Sequence, residues 1–421
     1  MSKGRLLPVL TALLLLASAT PANAASTGRD NPVTWSAAWS VAHHQPVAGN
    51  DWFGANWSVP GFADESVRQV VRVSAAGSLI RIRVSNRYGS QPLRLTGATV
   101  GRPDAGAAVR PGTLLPVAFD RRRSTTVAVG AEATSDPVLL PVRALETLTV
   151  TLYFAGATGP ATYHQDGLTS TYRAAGDHRF DHRGAAFSGE TSQSWYHLAG
   201  VDVAGSPRTR GTVVTFGDSL TDGYGSTPGA DNRYPDQLAE HLVAAARPLA
   251  VANAGIGGNK LLADSTCFGE RGVDRFRRDA LGQPGVRSVV VLIGINDIGG
   301  GGYPDFGCGA SPVVTAAQLI DGHRALIRTA HAQRITIIGV TMPPIRNATG
   351  YDTPANEAVR DEVNRWIRTG GAYDAVVDLD RVLADPADRD ALRPAYDHGD
   401  HLHLNDAGAT VAAAAVAARI R

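Results

Sequence analysis

The chain has 421 residues, with 40 Lys and Arg against 39 Asp and Glu and a formal net charge of +1. That balance builds no basic field for a nucleic-acid partner. The length exceeds one ordinary domain and points to two.

The chain opens on Lys3 and Arg5, continues through an apolar run from Leu6 to Ala17, and reaches Ala22-Asn23-Ala24. A basic start, a short apolar stretch and small residues form the three-part pattern of a secretory signal, too short to act as a membrane anchor. Residues 1–24 are therefore expected to be a signal peptide cleaved near Ala24, and the mature protein to be secreted. No later run reaches the roughly 20 apolar residues that a spanning helix needs, so no stable membrane insertion is expected.

From Thr34 to Val203 apolar and polar residues alternate with period two, most clearly in Ser78–Val84 and Thr147–Phe154 and more briefly in Ser124–Val129. Short alternating runs separated by Gly, Pro, Asn and Asp clusters predict an all-β sandwich, placed at residues 30–205. Trp35, Trp39, Trp52, Trp57 and Trp195 fall in this region. Core packing is the expected role for such large aromatics, with a sugar-binding face as the alternative. His43-His44 reads as a surface or sheet-edge pair.

Residues 205–211 are short, polar and rich in Gly and Pro, and serve as the boundary. Beyond them apolar runs alternate with helical patterns. Strands are predicted at Val213–Phe216, Leu249–Asn253, Ser288–Ile293, Ile335–Val340 and Ala375–Leu379. Helices are predicted at Asp236–Ala246, Ala316–Ala332, Asn356–Thr369 and after Asn405. Strands without alternation, separated by helices, indicate a parallel sheet covered on both faces, so residues 211–421 read as an α/β domain. Functional groups in such sheets collect at the carboxyl ends of the strands. Cys267 and Cys308 most simply form one disulfide in an oxidising compartment, two free buried thiols being the alternative. Two cysteines alone make no structural zinc site.

Four motifs fall at predicted strand ends. Gly217-Asp218-Ser219-Leu220 puts a serine hydroxyl at a strand-to-helix turn, although a serine there also suits a plain helix cap. Asn253-Ala254-Gly255-Ile256-Gly257-Gly258 lets a backbone N–H approach a ligand, or is a turn only. Gly294-Ile295-Asn296-Asp297 offers an amide donor for an oxyanion. Asp400-His401-Leu402-His403 places a carboxylate three residues before a histidine, where it can orient the ring; His403, and not His398 or His401, has that frame. Asp218, Asp222, Asn259 and Asp297 read as holders of these turns. The carboxylates and histidines of residues 397–403 are suitable metal-ligand types, but the Asp-x-x-His frame already uses two of them, so no metal is assigned.

In this order the four blocks resemble the SGNH hydrolase superfamily, also called GDSL-type lipases and acylhydrolases. The resemblance covers about Thr212 to the C-terminus. It implies a three-layer, flavodoxin-like α/β fold with Ser219 as nucleophile, His403 as base and Asp400 as the acid that orients it. It further implies an oxyanion hole from the Ser219 N–H, the Gly258 N–H and the Asn296 side chain, with Gly257 in place of Gly258 if the block is shifted by one. No cofactor is implied. The stretch from Phe268 to Ile298 is similar to a secreted subfamily of arylesterases and xylan-associated acylhydrolases, which also carries a β-rich N-terminal domain. The expected substrate is therefore a short-chain carboxylic ester, with O-acetyl groups of a polysaccharide as the candidate partner. A lipase, phospholipase or broad arylesterase is the alternative enzyme, and a non-catalytic carbohydrate-binding protein on a hydrolase scaffold is the alternative of another class. The Gly-x-Ser-x-Gly elbow of α/β-hydrolases does not occur in the chain.

Overall fold

The alternating runs of the first half pair as antiparallel strands. Glu65–Val73 lies between Glu146–Phe154 and Thr171–Ala175, in a sheet completed by Thr191–Ser192, Gly97–Gly101 and Leu115–Val117. A second sheet runs Ser36–Ser40, Leu198–Ala204, Gly77–Ser85, with Glu132–Thr134 and Val138–Val142 both paired to the last strand. Side chains of period two fill the space between them: Val67, Val71 and Val73 from one sheet meet Ile80, Ile82 and Val84 from the other in one core. The computed structural model describes residues 1, 33–49, 56–299, 308 and 311–420. The expected leader, Trp52 and most of the glycine-rich stretch 299–309 lie outside the described residues.

The second half is a parallel sheet of five strands. Across the sheet they run Ala250–Gly255, Thr212–Gly217, Val286–Leu292, Thr336–Val340 and Ala375–Val377. Numbered along the chain this is the order 2-1-3-4-5, the flavodoxin-like arrangement, whose crevice opens at the carboxyl ends where the order reverses. The helices are α1 (Ser219–Asp222), α2 (Tyr234–Ala244), α3 (Gly272–Phe276), α4 (Ile295–Gly299), α5 (Ala316–His331), α6 (Pro354–Thr369), α7 (Leu379–Leu383) and α8 (Asp406–Ala417).

Helix starts follow local chemistry. Thr315 and Gln318 make a reciprocal capping box at α5. Thr353 accepts from Asn356 N ahead of Pro354 at α6, and Asn405 accepts from Gly408 N at α8. Two boundaries differ from the periodic pattern. α2 begins at Tyr234 because Pro235 is tolerated in a first helical turn. The last strand ends at Val377 because Asp378, paired with Arg368 at 2.8 Å, caps α7 instead of extending the sheet.

Residues 34–421 form one compact unit, and the reason lies in Ser36–Ser40. All five of its residues are buried. Ala37 belongs to the core of the parallel sheet, whereas Ala38 and Trp39 belong to the sandwich core; a register shift between Ala37 and Trp39 permits the change of side. The Ala37 N–H donates to Thr212 Oγ1 at 3.0 Å, and Ser74 Oγ accepts from Val251 N at 2.9 Å. Among the described residues no helix is long and apolar enough to cross a membrane.

Cys267 and Cys308 are bonded, with Cα atoms 5.2 Å apart and a sequence separation of 41. Closing a loop of that length is expected to stabilise the fold by about 4 kcal/mol in the chain-entropy account. Denaturant unfolding of Cys308→Ser should show a loss of that order, and added reductant should lower the wild type to the same midpoint.

Candidate active site

The turn after the interior strand Thr212–Gly217 decides where Ser219 points. Asp218 has extended backbone and caps α1, its Oδ1 accepting from Leu220 N at 3.1 Å. α1 is only one turn long. Gly223, at φ 109°, donates its N–H back to Ser219 O at 2.8 Å and ends it. Ser219 is thereby fixed as the first residue of a tight strand–helix turn. Asp218 is buried and carries a carboxyl pushed up to about 7, burial being the main cause.

Ser219 Oγ lies 2.8 Å from His403 Nε2. His403 Nδ1 lies 2.6 Å from Asp400 Oδ2, and Asp400 Oδ1 accepts from the backbone N–H groups of His403 and Leu402 at 2.8 and 3.1 Å. Partial burial alone would raise the Asp400 pKa. The hydrogen bond and charge of His403, with the two N–H donors, outweigh it and hold the carboxyl well below the usual carboxylate range. An ionised Asp400 accepts a hydrogen bond from the Nδ1–H and leaves Nε2 free to accept from the Ser219 hydroxyl. His401 is turned away: its Nδ1 lies 2.7 Å from Asp397 Oδ2, so four of the five Asp and His side chains of residues 397–403 are used in two separate pairs.

The glycine loop follows the strand Ala250–Gly255. Gly257 N donates to Asp222 Oδ2 at 2.9 Å, so this N–H is committed. Gly258 has φ +69°, and a Cβ there would stand 2.5 Å from the Phe268 ring; glycine is required on both counts. Among the described residues neither Ser219 N nor Gly258 N has a protein acceptor. Asn296 sits in α4, beyond the strand Val286–Leu292. Its Nδ2 donates to Asn259 O at 3.1 Å, and its Oδ1 accepts from Tyr351 OH at 2.6 Å. Those two bonds fix which way the amide faces and leave one N–H to spare. Asp297 accepts from Leu261 N and Leu262 N at 2.7 and 2.9 Å; burial raises its carboxyl to about 6.

Beneath these loops lies Arg275, whose role the pattern of the sequence did not reveal. It is fully buried. Its guanidinium donates to Gly217 O at 2.7 Å, Ala254 O at 2.8 Å and Asn259 Oδ1 at 3.0 Å, and covers the Phe216 ring at 4.2 Å. A second unforeseen contribution comes from the sandwich half. His164 Nδ1 lies 2.8 Å from Ala42 O and its Nε2 lies 2.9 Å from Asp222 Oδ1, although the ring N–H is aimed off the line to that oxygen. A carbonyl on one nitrogen and a carboxylate on the other favour the imidazolium. Burial alone would lower the His164 pKa; Asp222 chiefly, with Ala42 O and Asp166, raises it. Asp222 then holds Gly257 N with its other oxygen, so the chain of contacts runs from the sandwich to the glycine loop.

His43 and His44 are buried and not a surface pair. His44 packs its ring against Tyr163 at 4.5 Å and pairs with it by backbone, and burial drives its pKa to about 3. Trp39, Trp57 and Trp195 are core residues, 3–8 % exposed, and offer no face to a sugar.

Residues 215–411 match the model of the GDSL-like lipase/acylhydrolase family. Residues 215–411, a little under half of the chain, thus carry the signature of a GDSL-like hydrolase, and the chain is a carboxylic-ester hydrolase. Similar solved structures include a lipolytic protein of the G-D-S-L family from Desulfitobacterium hafniense, 19% identical over 49% of this chain and 98% of the other, with a TM-score of 0.37. The acetyl xylan esterase AlAXEase is 22% identical over 49% and 97%, with a TM-score of 0.37. The lipase/acylhydrolase from Enterococcus faecalis is 20% identical over 49% and 94%, with a TM-score of 0.38. No curated protein matches the chain.

Removing His164 leaves the Asp222 carboxylate buried without a counter-charge. His164→Leu is expected to cost about 3–5 kcal/mol in urea unfolding at neutral pH. Because its folded pKa is raised, the imidazolium stabilises fully below the unfolded value of about 6.5 and loses its effect as pH rises through the folded one. The gap between wild type and variant should therefore narrow at alkaline pH.

Proposed function

We propose that the protein is a secreted serine esterase that removes short acyl groups, O-acetyl groups of a polysaccharide in particular, with Ser219, His403 and Asp400 as the catalytic triad. The observation that carries this reading is the continuous line from Ser219 Oγ to His403 Nε2 and from His403 Nδ1 to Asp400, at 2.8 and 2.6 Å, beside two uncommitted backbone N–H groups.

In this mechanism His403 takes the Ser219 proton as Oγ bonds to the ester carbonyl carbon. The carbonyl oxygen becomes an oxyanion and accepts from Ser219 N, Gly258 N and Asn296 Nδ2. Collapse breaks the bond to the alcohol, which leaves with the proton from His403. Water then attacks the acyl-enzyme by the same route, returning the hydroxyl to Ser219 and releasing the acid. Asp400 holds the ring and stabilises the imidazolium. Gly257 is the weaker candidate for the second donor, because its N–H is bonded to Asp222.

The acetyl and polysaccharide parts rest on polar surroundings and on the expected secretion. His398 and Asp166 lie near the pair, and Tyr224, 40% exposed, is the apolar ring that touches His403. A long acyl chain wants a continuous apolar wall.

The test compares wild type with Ser219→Ala on chromogenic acetate, butyrate and decanoate esters and on acetate release from acetylated xylan. Ser219→Ala should lose activity by a factor on the order of 10⁴ or more. Asn296→Ala should lower kcat on the order of 10²–10³. Tyr351→Phe frees the Asn296 amide to turn and should lower kcat by about tenfold with KM little changed, because the oxyanion forms only in the transition state. A preference for decanoate with xylan untouched would make the enzyme lipase-like. Wild type inert on every ester would favour the binding-protein alternative.

A further inference from the structure

We propose that Asp166, carried by the sandwich half, and Tyr224 form the subsite for the alcohol part of the ester, and that this alcohol is an uncharged polyhydroxylated ring. The inference rests on the triad reading above, since His403 must protonate the departing alcohol. The alcohol oxygen then sits against His403 Nε2, and the rest of the alcohol lies against whatever flanks that ring.

Tyr224 flanks it directly. Its ring centroid is 4.6 Å from that of His403, tilted by 59°, and 5.8 Å from that of His398. The ring is set by backbone, because Tyr224 N donates to Ser219 O at 3.1 Å just after the left-handed Gly223. It remains 40% exposed, an aromatic face at the mouth of the site. Such a face packs on the C–H face of a sugar ring while the phenol stays wet.

Asp166 approaches from the other half of the molecule. Its segment is tied down on both sides. Before it, His164 is held by Ala42 and Asp222, and Gln165 O accepts from Ser194 Oγ at 2.7 Å. After it, Gly167 O accepts from the Arg233 guanidinium and Leu168 O accepts from Gly229 N at 2.7 Å. The half-buried carboxylate is aimed at the glycine loop: a Cβ on Gly257 would stand 2.7 Å from Asp166 Oδ2. His403 and Tyr224 both lie within its field.

What Asp166 lacks is a cation. His164 is committed to Asp222, and no ion pair to Asp166 occurs among the described residues. Burial first, and the like charge of Asp222 second, push its carboxyl up to about 6. A carboxyl group in that position is satisfied by hydroxyl donors from a ligand, which bring no net charge. A cationic alcohol is the less suitable guest, since His403 becomes an imidazolium as the alcohol leaves and would repel it.

The test holds the acyl group constant and varies the alcohol. Rates of wild type, Asp166→Ala, Asp166→Asn and Tyr224→Ala are compared on an acetylated xylo-oligosaccharide, p-nitrophenyl acetate and acetylcholine. Binding of unacetylated xylotetraose to Ser219→Ala, with and without Asp166→Ala, is measured by calorimetry. For Asp166→Ala, the ratio of kcat/KM on the sugar acetate to that on p-nitrophenyl acetate should fall by about 10- to 100-fold. Asp166→Asn, which keeps an acceptor, should retain part of the preference, Tyr224→Ala should lower the ratio several-fold, and xylotetraose binding should be lost with Asp166. Equal losses on both esters would overturn the subsite and leave the esterase reading standing, as would unchanged xylotetraose binding. A preference for acetylcholine that disappears in Asp166→Ala would replace the polyhydroxylated alcohol by a cationic one. If Ser219→Ala hydrolyses all three esters like wild type, the triad reading fails, and the subsite with it.

Discussion

The site depends on one buried guanidinium. Arg275 reaches the last carbonyls of two adjacent parallel strands, Gly217 and Ala254, and the side chain of Asn259 in the loop that follows. Gly217 O also accepts from Ile256 N at 3.2 Å, and Arg275 adds a second donor where the ladder of the sheet ends; a buried carbonyl short of donors is costly. A lysine would supply a point charge on a flexible stem. Arginine supplies five donors in a rigid fork, enough to serve three acceptors at once. The same side chain is a buried charge that needs those partners and Asp279, 3.4 Å away. The strand before Ser219 and the strand before Gly258 are thus locked in register where the catalytic loops begin.

The sandwich half shares in the site and is not an appendage. Its edge strand Ser36–Ser40 is buried on both faces, one against each core. From that fixed contact the segment 163–168 reaches the loops of the parallel sheet, where His164 secures Asp222 and Asp222 secures Gly257. Committing Gly257 N to Asp222 leaves Gly258 N as the loop donor without an acceptor. A histidine from the other half of the chain thus bears, through Asp222, on which of two adjacent glycine N–H groups is left free.

Periodicity located the long strands and helices, because burial of one face leaves a repeat in the residue order: Gly77–Ser85, Glu146–Phe154, α5 and α6 lie within a residue or two of their predicted places. It missed α1, α3, α4 and α7, which have four or five residues and are too short to show a period. It also misplaced His43 and His44. Neighbouring polar residues suggest solvent, yet here they are buried by elements more than a hundred residues away in sequence, Tyr163 and His164 among them.

Ser219, Gly258, Asn296, Asp400 and His403 were singled out in the chain by short motifs and the resemblance they carry; the first three follow strand ends, which a parallel sheet gathers on one side, whereas Asp400 and His403 stand in the loop before α8. Asp400 and His403 could be paired from their three-residue spacing, and the two side chains meet at 2.6 Å. Arg275, Tyr351 and His164 carry no local signal of their own. Each acts on a partner between 16 and 58 residues away or in the other half of the molecule. Only the folded chain could decide their roles, since a side chain that works by filling the hydrogen-bonding needs of distant groups is defined by those groups and not by its neighbours in sequence.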